Sequence, residues 1–268
     1  MLSPSPPDSP RLGAVNWLGF RTLYIREVRR FLKVYSQTIL APVVTTLLFL
    51  AVFVLALGGS QRAAVGDVTF AEFLMPGLVM MAMAQNAFAN TSSSIIISKV
   101  QGNIVDVLMP PLSPGEFCLA YALGGMTRGL VVGAVVGLAM WVFVPVRVPH
   151  PGYVVYHAVA ASLLLSTLGL VGGIWSEKFD HIAAVTNFVV TPLSFLSGTF
   201  YSVERLPEAW RIAAHFDPFF YMIDGFRYGF IGHADASPML GVGVMAAANA
   251  ALLLLCHRMV ATGYRLKA

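Results

Sequence analysis

Charge-poor, largely apolar sequence runs for more than 20 positions at a time, in six stretches: 34–57, 73–98, 117–146, 151–175, 181–203 and 236–256. Each exceeds the roughly 20 residues that a helix rising about 1.5 Å per residue needs to cross a bilayer. The alternating segments of about 10 residues that mark a membrane β-barrel do not occur. The pattern predicts an all-α polytopic membrane protein with six transmembrane helices. Three segments break it, and they carry the least generic chemistry.

The first lies before span one. Residues 1–10, MLSPSPPDSP, hold four prolines and nothing to bury, which predicts a disordered tail. From Arg11 the pattern changes: Trp17, Phe20, Tyr24, Val28, Phe31 and Tyr35 recur at spacings of three and four. That spacing places them on one helical stripe, with Arg26, Arg29, Arg30 and Lys33 on the opposite side. The prediction is a basic amphipathic helix on the membrane surface, serving as a topology anchor or as a contact to a cytoplasmic partner.

The second break is 99–116, between spans two and three. Its first half has room for about two helical turns, with Ile104, Val107 and Leu108 on one side and Asn103 and Asp106 on another. Pro110 and Pro111 then stop it, since neither supplies a backbone donor. The readings are a short amphipathic helix held between two spans, or a polar turn with chance periodicity.

The third is 196–232, LSGTFYSVERLPEAWRIAAHFDPFFYMIDGFRYGFIG, with seven charged and ten aromatic residues among 37. Pro207 and Pro218 suit first helical turns and Asp217 suits an N-cap, so two short helices are predicted, at about 207–215 and 218–230, with Gly232 ending the second. They would sit at the outer face, either as an aromatic belt at the headgroups or with the second helix re-entrant.

Within the spans, Pro42 and Pro192 predict bends. Gly125, Gly129, Gly133 and Gly137 form a Gly-xxx-Gly ladder suited to close packing inside the chain or to a dimer seam. Arg128 is the formal charge deep in a span, costing about 3 kcal/mol on insertion scales unless paired or wet. It reads as an anchor, as part of a translocation path or gate, or as a snorkelling side chain. Asp224 and backbone carbonyls are its candidate partners.

Composition supports the class, with 57% hydrophobic and 11% charged residues against roughly 25% charged in soluble domains. Lys and Arg number 11 on one side of the predicted topology and five on the other, Arg128 completing 17. The positive-inside rule then puts both termini in the cytoplasm, and no signal peptide is read at the N-terminus. The basic balance needs no nucleic acid, because anionic leaflet lipids account for it. Cys118 and Cys256 fall in apolar spans and read as packing residues. There is no Gly-x-x-x-x-Gly-Lys-Ser/Thr loop for nucleotide phosphates, no metal-ligand spacing among the six histidines, no hydrolase or zincin motif, and no carboxylate inside a predicted span. The residues thus point away from an enzyme and from a proton-coupled carrier.

The segments REVRRFLKVYSQTILAPVV (26–44), FLMPGLVMMAMAQNAFAN (73–90), QGNIVDVLMPPLSPGEF (101–117), TPLSFLSGTFYSVERLP (191–207) and FDPFFYMIDGFRYGFIG (216–232) stand in a characteristic order and spacing. In them the chain resembles the permease subunits of ABC-2 type exporters, most of all the YadH and NodJ group of bacterial inner-membrane permeases. The resemblance implies the ABC-2 (type V) exporter fold and a homodimeric pore. It also implies two copies of a separate ATP-binding subunit, which would hold the ATP and Mg; none is expected in this chain. Residues 99–108 would be the coupling helix, with Gly102, Asn103, Ile104, Asp106, Val107 and Leu108 at the ATPase. Family members often carry an acid at the place of Val105, so the polar contact is expected one position on, at Asp106. Residues 12–33 would be the interface helix, with Trp17, Phe20, Tyr24, Arg26, Arg29 and Arg30. Residues 204–230 would form an extracellular or re-entrant lid with Trp210, Asp217, Pro218, Phe219, Tyr221, Asp224 and Arg227. The expected function is outward movement of an amphipathic or lipid-linked substrate across the bacterial inner membrane. The alternative is a membrane scaffold that recruits an ATPase or envelope enzyme without passing cargo.

Overall fold

A computed structural model describes residues 15–56, 63–65, 68–145 and 147–266; the Pro-rich tail at 1–10 lies outside them. The helices are α1 (Trp17–Leu32), α2 (Ala41–Ala56), α3 (Phe70–Val100), α4 (Ile104–Leu108), α5 (Pro114–Trp141), α6 (Pro151–Trp175), α7 (Phe179–Val185), α8 (Thr191–Leu196), α9 (Glu208–His215), α10 (Pro218–Ile231) and α11 (Pro238–Thr262). Two short antiparallel strands, β1 (Ala63–Val65) and β2 (Val68–Thr69), stand between α2 and α3. The fold is all-α and polytopic.

Local chemistry explains the helix starts. Thr69 with Glu72, and Ser113 with Glu116, form reciprocal capping boxes at α3 and α5. Proline occupies the first turn of α5, α6, α10 and α11, where its missing N–H has no intrahelical partner to lose. Gly232 ends α10 at φ 69°, a left-handed value that a side chain would strain.

Among the described residues, five stretches are long and apolar enough to cross a membrane: Ser36–Ala56, Pro114–Trp141, Pro151–Trp175, Phe179–Leu196 and Pro238–Thr262. The fifth predicted span therefore stops at Leu196 instead of reaching 203, because the chain turns through Gly198 at φ 89°. The remaining predicted span, α3, has 31 residues, about 46 Å at helical rise. It is less apolar, carrying Gln85, Asn86, Asn90 and the run Thr91 to Ser94. Its place explains this: 21 of the 31 residues are buried, packed mainly against α6 and α5 and also against α10, so its polar groups meet protein instead of lipid.

Small residues set the helix spacing. A Cβ on Gly129 would lie 2.9 Å from Ser162 Oγ and 3.1 Å from the Met83 carbonyl, and one on Gly125 would run into Ser166 and Thr91. Gly133 abuts Met83, whereas Gly137 has nothing within 4 Å. Three rungs of the Gly-xxx-Gly ladder thus serve packing of α5 on α3 and α6.

The expected proline bends take a specific form. Ser36–Leu40 and Thr186–Val190 are π-helical turns, each ending two residues before a proline, Pro42 and Pro192. The Ala41 and Thr191 amides reach back to the carbonyls of Ser36 and Thr186, one residue further than in an α-helix. The wider turn makes room for a proline ring that would otherwise meet the carbonyl four residues back.

Two apolar cores result. The larger fills the bundle around α3, α5, α6 and α10. The smaller, at one end, gathers Leu23, Ile104, Val107, Phe117, Tyr121 and Leu170 with Cys118 and Cys256. The two thiols are 3.1 Å apart and buried, as the packing reading required.

Candidate functional site: the α1–α4 face and the polar ladder of α3

The smaller core joins α1 to α4. Asn16 caps α1 by accepting from the Gly19 amide at 2.9 Å. Its own amide donates to Glu116 Oε1 at 2.6 Å, and its side chain donates to the Pro111 carbonyl at 3.1 Å. Glu116 Oε2 takes the Ser113 amide at 2.6 Å. The start of α1, the loop after α4 and the start of α5 are thereby tied into one block.

The rotation of α1 differs from the aromatic stripe. Leu23, Glu27 and Phe31 are its buried residues, while Trp17 is 70% and Tyr35 60% exposed. Phe20 packs on the smaller core, and Tyr24 meets Thr127 at 3.0 Å through its hydroxyl. The helix ends at Leu32, before Tyr35. Nor do the cations gather opposite the aromatics: Arg26 and Arg30 turn inward, because a fully buried carboxylate, Glu27, stands between them.

Glu27 Oε1 accepts from Arg26 Nη2 at 3.0 Å and from Ser94 Oγ at 2.9 Å, and Oε2 accepts from Arg30 Nε at 3.2 Å. Arg26 also donates to the Tyr121 hydroxyl at 2.6 Å. A Cβ at Gly124 would lie 2.7 Å from Glu27 Cβ, so only glycine on α5 admits the carboxylate. Charges removed from water persist only when paired and hydrogen-bonded, and Glu27 meets both conditions.

From there a polar ladder climbs α3. Arg30 donates to Ser93 Oγ at 3.2 Å, to Asn90 Oδ1 at 3.1 Å and to the Asn90 carbonyl. One turn further, Asn86 Oδ1 accepts from Arg128 Nη2 at 2.9 Å. Asn86, and not Asp224, is the partner of Arg128. Arg128 Nε finds no acceptor, and no acid pairs with this guanidinium among the described residues.

α4 has five residues, shorter than the two turns expected. Ile104 and Val107 are buried in the smaller core, as their spacing predicts. Leu108 faces outward instead, beside Val105 and Met109, which are 54% and 74% exposed. A single helical turn seats only two residues, and the third falls on the free side. Asn103 and Asp106 are exposed, and Gly102 turns the chain into α4 at φ 75°.

The other end of the bundle separates the two lid helices. α9 has no buried residue, and Trp210 is 64% exposed. α10 is a core element against α6, α3 and α11, burying Phe219, Tyr221, Asp224 and Arg227. Asp217 caps it by accepting from the Phe219 amide at 2.9 Å. Burial raises the Asp217 carboxyl above its ordinary value, opposed by Ser197 and that amide. Asp224 and Arg227 share a helix face but do not pair. Asp224 accepts the Asp235 and Ala236 amides at 2.8 and 3.0 Å, and burial, only partly offset by them, lifts its carboxyl to about 6. Arg227 donates to the Gly198 carbonyl and, at 3.4 Å, to that of Thr199, and it lies 3.9 Å over the Phe73 ring. The fold also brings ligand atoms of Glu204, His233 and Asp235 within 4.8 Å of one another, a juxtaposition invisible in sequence spacing. Asp235 there holds Ser202 Oγ and the Val203 amide.

Residues 19–231 match the ABC-2 type transporter family. The chain belongs to that family. It is 35% identical over 254 residues to the inner membrane transport permease YadH of Escherichia coli strain K12, covering 94% of this chain and 98% of that one. It is 25% identical over 235 residues to nodulation protein J of Rhizobium leguminosarum bv. trifolii, covering 87% and 88%. Against nodulation protein J of Rhizobium meliloti it is 24% identical over 238 residues, covering 85% of each. A non-enzymatic membrane permease is consistent with those names. Sequence reasoning missed Glu27, Asn16, Glu116 and the two asparagines of α3. The available signals were the Ser113-x-x-Glu116 box and a lone acid inside a basic helix.

Proposed function

We propose that this chain is the transmembrane subunit of an ATP-driven exporter in the bacterial inner membrane, moving an amphipathic or lipid-linked substrate outward. It works as a homodimer with two copies of a separate ATP-binding subunit and has both termini in the cytoplasm. α4 carries this reading: its inner face is locked into the core it shares with α1, while Val105, Leu108 and Met109 stand exposed at the end of the bundle. A force on α4 therefore reaches α1, α3 and α5 together. The relatives' names and the excess of Lys and Arg on that side support the same assignment.

The homodimer is supported by α2 and the α7–α8 span. Only 11% of each is buried within the chain, and each carries a π-helical turn before a proline. These two spans are the free faces for a second copy, and the wide turns are points where they can flex. The buried α10 then caps the opposite end of the path.

Leu108→Arg, co-expressed with an ABC ATP-binding subunit encoded beside the permease, should abolish stable assembly and substrate-stimulated ATP hydrolysis while the permease itself still folds. Unchanged assembly and hydrolysis would remove α4 from the coupling role. Reconstituted complexes should show ATP-dependent substrate flux, and a scaffold would show none.

A further inference from the structure

At the α1 end a cavity of about 750 Å³ opens between α1 and α3. That volume lies in the range of sites for small molecules and head groups. Arg26, Arg29, Arg30 and Lys33 line it, with Ser94 and Ser98 on the α3 wall. Glu27 answers Arg26 and Arg30. The side chains of Arg29 and Lys33 make no hydrogen bond or ion pair among the described residues, so four cations and one acid leave a net three positive charges. Ile25, Val34 and Ile97 complete the wall with apolar surface. The cavity is thus amphipathic, cationic and placed where an amphipathic helix meets the bundle.

Its positive character continues inward. Arg30 is fixed to Asn90, and Arg128 to Asn86 one helical turn further along α3, a rise of about 6 Å. Arg128 has a buried, unpartnered Nε and, among the described residues, no acid in an ion pair with it. An intramembrane cation of this kind marks a place where an anion is met.

We infer that this cavity is a binding site for the net-anionic phosphate head group of a membrane amphiphile, entering sideways between α1 and α3, with Arg29 and Lys33 as its first contacts. The direction of onward movement rests on the exporter reading above; binding does not, and it is measured on the permease alone.

The test uses the full chain, delipidated in a neutral maltoside detergent, titrated with phosphatidylglycerol, phosphatidylcholine or inorganic phosphate and read by native mass spectrometry. Phosphatidylglycerol should bind well above phosphatidylcholine. Arg29→Gln with Lys33→Gln should weaken it by about tenfold or more, since each cation near a lipid surface contributes several-fold. Arg21→Gln, on the same helix outside the cavity, should change it far less than the double glutamine variant, because Arg21 does not line the site. The swap Arg29→Lys with Lys33→Arg should keep binding, which separates loss of charge from loss of fold. Equal weakening by Arg21→Gln, or unchanged binding in the double glutamine variant, overturns the site. Displacement of the lipid by inorganic phosphate at equal concentration overturns the amphiphile, because the free anion would then suffice. If ATP-driven flux fails while lipid binding follows this pattern, the exporter reading falls and the site stands.

Discussion

Both ends of the bundle bury a carboxylate close in sequence to an arginine, yet they use the pair in opposite ways. At the α1 end Glu27 is bound by side chains, Arg26 and Arg30 from its own helix and Ser94 from α3. At the α10 end Asp224 and Arg227 form no hydrogen bond or ion pair with each other and hold backbone, Asp224 the amides before α11 and Arg227 the carbonyls after α8. Side-chain links between helices can be exchanged as the helices slide. Charges that cap backbone amides and carbonyls hold a chain path in place. On the function proposed above, the α1 end would transmit movement and the α10 end would stay shut against it.

The largest expected effect is at Glu27. Glu27→Ala removes a fully buried carboxylate and leaves Ser94 and the partly exposed guanidiniums of Arg26 and Arg30 without their acceptor, a loss of about 1–3 kcal/mol for groups left unsatisfied. Thermal unfolding in detergent, followed by size-exclusion chromatography, should show a large drop in melting temperature. A drop no larger than that of an exposed control such as Arg21→Ala would mean that the network is ornamental.

A pair of double-mutant cycles sharpens the contrast. Glu27→Gln with Arg30→Gln should show a coupling energy of about 1 kcal/mol or more, as groups in one network do. Asp224→Asn with Arg227→Gln should couple less than the Glu27 and Arg30 pair, because only through-space attraction, and no hydrogen bond, links the two side chains. Strong coupling at the α10 end would contradict the separation drawn between the two ends.

A smaller effect should appear on changing pH. Burial holds the Asp224 carboxyl at about 6 in the fold, above the 3.8 of a free aspartate. The folded state therefore binds the proton more tightly than the unfolded chain, so the stabilisation is full below about pH 4 and is lost as pH rises through about 6. On acidification from pH 7 to pH 5 the native chain should gain about 1 kcal/mol relative to Asp224→Asn, each factor of ten in proton affinity being worth about 1.4 kcal/mol. Parallel melting curves for the two proteins across that range would rule this out.

Much of the fold was legible because its signals are local. Apolar runs long enough to span, Asp217 before Pro218, Gly232 after the second lid helix and paired prolines after α4 each act through neighbours within a turn. The candidate site was only partly so. Ile104 and Val107 were placed correctly by period, but the turn was too short to bury Leu108 as well. On α1 the aromatic stripe outweighed one acid, and the helix was assigned the wrong rotation, since nothing near Glu27 announces Ser94 or Gly124. Arg128 advertised its need for a partner, and Asn86 lies 42 residues away.

Sequence alone therefore determined the all-α polytopic class, the capped starts of helices such as α10, and the absence of a Gly-x-x-x-x-Gly-Lys-Ser/Thr loop. Period, capping and turn chemistry depend on a few adjacent residues. Tertiary structure decided which charges are paired, that α10 is buried while α9 is not, and that α1 and α4 share one core. Burying a charged or polar group is tolerated only when its partners arrive from other helices, and the packing of those helices brings them there.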